Sequence, residues 1–324
     1  MKNIAVFTSG GDSPGMNACI RAVVRTTLHE GMKATGIFRG YQGMIEGDFQ
    51  EMTAHHVSNI IQSGGTILQS ARSSDFRTPE GRRKAYENII AHNVDGIVAI
   101  GGDGTFTGAN IFMKEYPDIA IVGCPGTIDN DLFGTDYTIG YDTAINTAMT
   151  AIDNIKDTAN AHGRLFFVEV MGRDAGFIAL LSGLATGAED ILIPEFHTDM
   201  DELAQRLEEG FLKKKNSSIV VVAEGDDAGG ALHVAEAIRN RLTRETEIKV
   251  TILGHVQRGG RPTCMDRVRA SRMGMAAVYA LMEGQKGIMI GEINRQISYT
   301  PFEQTIKHNF EINPNLLKMV RVLA

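Results

Sequence analysis

The run Asn3-Ile4-Ala5-Val6-Phe7-Thr8, followed by Ser9-Gly10-Gly11-Asp12-Ser13-Pro14-Gly15 and then by a helix-period stretch over residues 17–28, decides the fold. A short apolar, β-branched run reads as a strand, the glycines as a tight loop, and the periodic stretch as the helix that the loop opens. The same order recurs along the chain. Further strands are expected at residues 33–38, 96–100, 119–123, 165–170, 191–193, 219–223, 250–253 and 287–290, with helices that include 82–92, 142–158, 200–214, 230–243 and 265–283. Strands alternating with helices mean mostly parallel sheets flanked by helices, an α/β fold. A chain of 324 residues has room for two such domains. No linker rich in Pro, Ser or Gly separates them; a first boundary is expected near residue 138, with a later segment returning to the first domain.

Composition narrows the function. The net charge of -7 makes the molecule as a whole repel polyanions, so nucleic acid is excluded as a partner and any phosphorylated ligand needs locally clustered Arg, Lys and backbone N–H groups. Cys19, Cys124 and Cys264 are odd in number and widely spaced, which argues against a disulfide framework or a zinc site and for a reducing, cytoplasmic setting. No apolar run approaches the length of a membrane span, and residues 1–8 lack the apolar core of a signal peptide.

In open parallel sheets ligands bind beyond the carboxyl ends of strands, so the loops there carry the chemistry. In the first, Thr8 to Asn17, glycines let backbone N–H groups approach a phosphate and the helix N-terminus adds positive potential; it reads equally as a plain tight turn. It lacks both G-K-[ST] and the G-x-G-x-x-G spacing. The second, Ile100-Gly101-Gly102-Asp103-Gly104-Thr105, sets a carboxylate among glycines, suited to Mg²⁺ beside a phosphate, or else places Asp103 as a helix cap. A GGDGT loop occurs in NAD and diacylglycerol kinases too. The third, Pro125-Gly126-Thr127-Ile128-Asp129-Asn130-Asp131, would, if extended, point Asp129 and Asp131 to one side with Cα atoms about 6.6 Å apart, one carboxylate taking a proton from an alcohol while the other orients it or meets the metal. Met171-Gly172-Arg173-Asp174 and Gly254-His255-Val256-Gln257-Arg258-Gly259-Gly260-Arg261 complete the set, arginine offering a planar fork for phosphate and imidazole a partner for sugar hydroxyls or phosphate.

Taken together, the segments TSGGD-x-PGMNA, GYQG, GGT-x-L-x-SAR, IGGDGT, PGTIDND, GTDYTIG, VEVMGR, GHVQRGG and ASRMG resemble the ATP-dependent 6-phosphofructokinase family, bacterial type, in order from residue 4 to about residue 274. The resemblance implies two α/β domains, an ATP-binding one over 1–138 and about 256–304 and a smaller sugar-phosphate and interface one over 139–255 and 305–324. It also implies Mg²⁺, a homotetramer, and transfer of the ATP γ-phosphoryl to the 1-hydroxyl of fructose 6-phosphate. Asp129 would take the substrate proton and Asp103 hold Mg²⁺; Gly11, Arg72 and Arg173 would stabilise the transferring group, assisted by Thr127 and Asp131. Gly11, Tyr41, Arg72, Ser73, Gly102, Asp103, Gly104 and Thr105 fall at ATP positions. Thr127, Ile128, Asp129, Arg164, Met171, Gly172, Arg173, Glu224, Lys249, His255 and Arg258 fall at substrate positions.

Two glycines bear on the phosphoryl donor. Pyrophosphate-dependent relatives typically carry Asp and Lys where this chain has Gly104 and Gly126, so ATP is expected; a pyrophosphate-dependent enzyme is the nearest alternative, and a catalytically silent nucleotide sensor the one from another class. Arg164 and Arg173 stand nine residues apart around one strand, about 30 Å if fully extended, and Lys249 and His255 about 20 Å. If Arg164 and Lys249 bind phosphate, they do so in a neighbouring subunit, as the resemblance also implies. Lys249 stands where relatives usually have Arg, losing the bidentate fork. Arg21, Arg25, Lys156, Glu189, Lys213 and Lys215 match a nucleotide-effector site for ADP or phosphoenolpyruvate, with Arg21 and Arg25 also readable as an ordinary basic helix face. Ala54 and Lys156 again depart from a usual Arg.

Overall fold

The computed structural model describes residues 1–162, 164–212, 218–305 and 312–323. Its elements are β1 (Asn3–Thr8), α1 (Met16–His29), β2 (Lys33–Ile37), α2 (Gly40–Glu46), β3 (Phe49–Met52), α3 (Pro79–Ala91), β4 (Gly96–Gly101), α4 (Asp103–Glu115), β5 (Ala120–Pro125), α5 (Tyr141–His162), β6 (Leu165–Val170), α6 (Phe177–Thr186), β7 (Asp190–Leu192), α7 (Met200–Leu212), β8 (Ser218–Ala223), α8 (Ala231–Arg239), β9 (Ile248–Ile252), α9 (Cys264–Met282), β10 (Ile288–Ile293), β11 (Gln296–Pro301) and α10 (Pro314–Leu323). The chain forms two compact units, Met1–Thr143 with Arg258–His308, and Ala144–Gln257 with Asn309–Ala324.

The first unit is built on a seven-stranded sheet, β11-β10-β5-β4-β1-β2-β3. Its interior strands are parallel, and only the edge pairs β2–β3 and β10–β11 are antiparallel. Side chains alternate across a strand, so Ile4 and Val6 join the core under α1 and α9, while Ala5 and Phe7 join the core under α3 and α4. With both faces covered, the centre of β1, Ile4 to Phe7, must be apolar, which is why it is legible as an uninterrupted run. The chain moves outward from β1 to β2 and β3, then returns to the other side of β1 as β4. The carboxyl ends of β1 and β4 therefore flank a topological switch point, where doubly wound sheets bind ligands.

The second unit has a four-stranded parallel sheet, β7-β8-β6-β9, with Leu165, Phe167, Val220 and Val222 packed on Leu203, Leu207, Val234 and Ile238 of α7 and α8. Here the order reverses between β6 and β9, which places the loops after those strands side by side.

All nine expected strands are present to within two residues at each end except the last, whose strand runs on to Ile293. Two strands were not legible. β3 is polar and largely exposed and β11 half-exposed; as antiparallel edges they bury little and show no continuous apolar run. α8 stops at Arg239, short of the expected residue 243, with Asn240 as its C-cap. α1 and α9 cross closely at Gly274, where a Cβ would lie 2.7 Å from the Cys19 carbonyl oxygen and 3.1 Å from Ala22 Cβ. Because the first obstacle is backbone, Gly274→Ala is expected to lower stability by about 1–3 kcal/mol, the range for forcing volume into a close-packed core. A thermal midpoint equal to that of the parent protein would show that the helices can part freely.

Candidate active site

In the first unit three loops close on one another by continuing the parallel ladder past the strand ends. Ser9 N–H donates to Ile100 O at 3.0 Å, and Gly126 N–H to Gly101 O at 2.9 Å. Thr105 Oγ1 donates to Ser9 O at 3.3 Å, and Ser70 Oγ to Gly10 O at 2.5 Å, bringing the 64–73 loop onto the first glycine loop. Gly10, at φ 86, has a backbone that favours glycine. Gly10 and Gly11 are exposed, so their backbone faces outward.

Asp103 opens α4 behind the N-cap Gly102 and makes no capping bond; its Oδ1 is buried without a hydrogen-bond partner. A buried carboxylate oxygen left unpaired is costly, and a cation would satisfy it. Asp103 makes no cap bond, and its unsatisfied oxygen is of the kind that would fit Mg²⁺. Gly104 is exposed and a Cβ there would meet nothing within 4 Å. Gly126 is the opposite case. A Cβ there would lie 2.9 Å from Met16 Cε and 3.1 Å from Ile100 Cγ2, so the position is tight, and a side chain would need the flexible Met16 tip and Ile100 to shift.

Tyr41 is buried between Phe7 and Phe76, its ring stacked on Phe76 at 3.9 Å, and its hydroxyl donates to Thr105 O at 2.6 Å. Burial pushes its phenol far above the ordinary range, so it stays neutral and acts as a wall for the α4 start. Ser73 donates to Gln42 Oε1 at 2.7 Å, anchoring its loop to α2, while Arg72 stands exposed. Arg258 belongs to this unit: its Nη1 donates to Asp12 O at 3.4 Å, and a side chain at Gly11 would collide with it.

The Asp129 loop is not extended. Asn130 sits in the left-handed region at φ 54, held by Asn130 Nδ2 to Asp136 O and by Thr138 N–H to Asn130 Oδ1. Asparagine tolerates this conformation because its own amide pays back the strain through local bonds. The expected same-side pairing of Asp129 and Asp131 at full extension is therefore corrected: the chain turns between them, Asp129 buried and Asp131 half-buried. Asp129 N–H donates to Thr127 Oγ1 at 3.3 Å, and Ile128 is fully buried beneath them.

In the second unit, the loop after β6 turns sharply: Arg173 has φ 60, and Gly172 N–H and Arg173 N–H both donate to Glu224 Oε1, at 3.3 and 2.8 Å. Strained non-glycine backbone of this kind clusters at functional sites. Met171 N–H donates to Gln257 Oε1 at 2.9 Å, tying that loop to the turn Gly254–Arg258 that exposes His255. Gln257 and Glu224 thus work as supports. Gln257 lies inside the GHVQRGG motif but sequence alone offered no signal of its role.

Arg164 and Lys249 do meet, through Glu247. Arg164 Nε lies 2.6 Å and Lys249 Nζ 2.9 Å from opposite oxygens of that carboxylate, which Lys249 first and Arg164 second hold below its usual range. β6 is only six residues long and the chain folds back at Arg173, so Arg164 and Arg173 are nearer than the 30 Å of nine extended residues. They still flank opposite ends of β6. The Gly254–Arg258 turn likewise shortens the Lys249–His255 span.

Of the effector candidates, Arg21 and Arg25 make no ion pair among the described residues. Partial burial and then the like charge of Arg25 lower the Arg21 guanidinium. An unpaired basic pair one turn apart suits an anion. Lys156 is engaged differently, donating to Thr186 O at 2.6 Å and Gly187 O at 3.3 Å at the end of α6, a favourable place for a cation. Glu189 follows at the start of β7 and Ala54 is exposed; Lys213 and Lys215 lie outside the described residues. The three cysteines are free thiols, and no described helix is long and apolar enough to cross a membrane.

Phosphoryl transfer needs positioning and preorganised positive potential more than covalent help, and glycine-rich loops opening helices at a switch point supply both through backbone N–H groups, while an unsatisfied carboxylate there suits a cation. The protein is an α/β phosphotransferase by that measure. A family model described as phosphofructokinase matches residues 3–281, and the chain belongs to the phosphofructokinase family. It is 53% identical over its full length to ATP-dependent 6-phosphofructokinase 2 of Bacteroides thetaiotaomicron, covering 99% of that protein, and 55% identical to ATP-dependent 6-phosphofructokinase 1 of Thermus thermophilus, covering all of it. Among solved structures it matches phosphofructokinase from Saccharomyces cerevisiae with a TM-score of 0.90 at 35% identity, over 94% of this chain and 44% of that longer one. A pyrophosphate-dependent phosphofructokinase from Marinobacter aquaeolei shares the fold, with a TM-score of 0.84 at 22% identity over all of this chain and 91% of that one.

Because the atom in the way of a Gly11 side chain is the tip of a flexible arginine, Gly11→Ala is expected to leave the thermal midpoint nearly unchanged while displacing Arg258. Losing one positioned donor predicts a fall in kcat/KM of ~10-fold or more; a parent-like kcat/KM would place Arg258 outside the working site.

Proposed function

We propose that the chain is an ATP-dependent 6-phosphofructokinase, transferring the γ-phosphoryl of ATP to the 1-hydroxyl of fructose 6-phosphate to give fructose 1,6-bisphosphate and ADP. The observation that carries the reading is the match along the whole chain to relatives named for that activity. The competing pyrophosphate reading rests on a likeness of fold, and the open space at Gly104 supports the nucleotide. A silent sensor has no support from a chain that keeps Asp103, Asp129 and the arginines.

In this reading the exposed backbone of Gly10 and Gly11 and the start of α4 receive the ATP phosphates, with N–H groups and helix dipole offering positive potential. Mg²⁺, when bound at Asp103, neutralises charge on the transferring phosphates. Asp129 takes the proton of the sugar 1-hydroxyl as its oxygen bonds to phosphorus and the bond to the ADP oxygen breaks. Its burial keeps the carboxylate out of bulk water, and Thr127, through its bond with the Asp129 N–H, fixes the backbone that carries it. Arg72, Arg173 and Asp131 add charge and orientation. Met171, Gly172, Glu224, His255 and Arg258 hold the sugar phosphate. Arg164 and Lys249 serve the site of a neighbouring copy in a homotetramer, where an incoming phosphate competes with Glu247 for both cations. Arg21 and Arg25 bind an effector such as ADP or phosphoenolpyruvate, and the enzyme works in the cytoplasm.

A coupled assay with fructose 6-phosphate and Mg²⁺ is expected to show turnover with ATP and none with pyrophosphate; the reverse would overturn the donor assignment. Gly104→Asp, placed in open space, should fold normally and lose ATP turnover, and a parent-like rate would remove Gly104 from the donor site. Mixing Asp129→Ala with Arg164→Ala subunits should restore some activity. Well-mixed hybrids without rescue would place Arg164 outside any shared site.

A further inference from the structure

Asp266 is fully buried as the third residue of α9, yet no part of the reaction reading uses it. Its carboxylate is saturated with donors from elsewhere in the same unit. Oδ1 accepts from Gly140 N–H at 2.9 Å, and Oδ2 accepts from Thr143 N–H at 2.8 Å and from Thr143 Oγ1 at 2.5 Å. These amides are the orphan donors at the start of α5, which a helix cannot satisfy from within and whose positive potential favours a carboxylate. The helix opening is thus capped by a side chain lent from another helix.

The lending is reciprocal. Thr143 Oγ1 accepts from Thr263 N–H at 3.0 Å, and Thr263 Oγ1, itself the N-cap of α9, accepts from Asp266 N–H at 3.3 Å while donating to Asp142 Oδ2 at 2.5 Å. Each hydroxyl donates once, and the two helix starts lock together.

That lock sits at the end of the segment that carries Asp129. Residues 125–140 fold back on themselves: Ile139 N–H donates to Pro125 O at 2.7 Å, Thr138 Oγ1 to Thr127 O at 2.7 Å, and Ser13 Oγ to Ile139 O at 2.8 Å. Gly140, at φ 106, then hands the chain to Asp266, whose Cβ also stands 3.6 Å from the Cβ position of Gly15 in the first glycine loop. A shift at Gly140 is therefore passed within one or two bonds to Thr127, and from Thr127 to the Asp129 backbone.

We propose that Asp266 is a positioning residue for the reaction, holding the Asp129 loop in register through Gly140 and Thr143 without touching substrate. The proposal rests on the reading of Asp129 as the proton acceptor. Asp266→Asn keeps the volume but turns an N–H₂ toward at least one of the three donors, so the loop must move.

The test is a double-mutant cycle in the full-length protein with Asp266→Asn, Asp129→Asn and the pair, measuring kcat, thermal midpoint and dissociation constants for ATP and fructose 6-phosphate. Asp266→Asn alone is expected to lower kcat at least 10-fold with dissociation constants changed less than 3-fold, and to lower it by less than 2-fold when Asp129 is already Asn. Thr143→Val, which deletes the hydroxyl bonds to Asp266 and Thr263 but keeps the Thr143 N–H bond, should show a smaller loss of kcat with the same dependence on Asp129, and serves where Asp266→Asn does not fold. Equal losses on both backgrounds would overturn the positioning role while leaving Asp129 as the base. Weakened substrate binding at unchanged kcat would overturn it as well. A parent-like rate for Asp129→Asn alone would instead overturn the reading beneath it, and the proposal with it.

Discussion

Two backbone bonds, Ser9 N–H to Ile100 O and Gly126 N–H to Gly101 O, carry the parallel ladder of the larger sheet one step beyond its strands. Everything in the first unit's site follows from that extension. Loops that would otherwise diverge are drawn to backbone contact, which crowds out side chains. Glycine at 101 is demanded by Thr105 and the Ser9 carbonyl oxygen, and 126 is crowded by Met16 and Ile100, before any ligand is considered. The loops are brought together by the sheet, and the same crowding leaves the exposed N–H groups of Gly10 and Gly11 and the unsatisfied Asp103 oxygen as the chemistry that remains.

A chain with net charge -7 meets polyanionic substrates only through such local devices. They differ between the units. In the proposed reading the first offers backbone amides and a helix start, rigid and already oriented, with Arg72 and Arg258 beside them. In the same reading the second offers Arg173 and His255, the Arg173 backbone standing at φ 60 where the Gly172 and Arg173 amides both donate to Glu224. Preorganisation of this sort places the cost of orientation in folding rather than in binding. Lys249 and Arg164 are a third kind: cations bridged by the Glu247 carboxylate, which in the proposed reading an incoming phosphate would displace.

The two glycines that distinguish nucleotide from pyrophosphate relatives prove physically unlike. Gly104 faces open space, so its lack of a side chain has no packing reason and is free to answer to the ligand. Gly126 faces Met16 and Ile100, so a side chain there would also need those neighbours to move. The donor argument accordingly stands on Gly104 more than on Gly126.

By itself the sequence determined the nine apolar strands, the alternation that makes the sheets parallel, and the glycine and arginine loops at the strand ends. Each of these is written locally: a strand buried on both faces must be apolar at its centre, and a tight approach of backbone to phosphate must be glycine. Tertiary structure decided what depends on distant partners. β3 and β11 pair only as edges, and their half-exposed faces leave no periodic trace. Asn130 turns the Asp129 loop because Asp136 and Thr138 meet its amide, which no spacing rule encodes. Gln257 supports Met171 from 86 residues away, and Asp266 caps α5 from more than 120, because a buried donor takes whichever acceptor the fold brings to it.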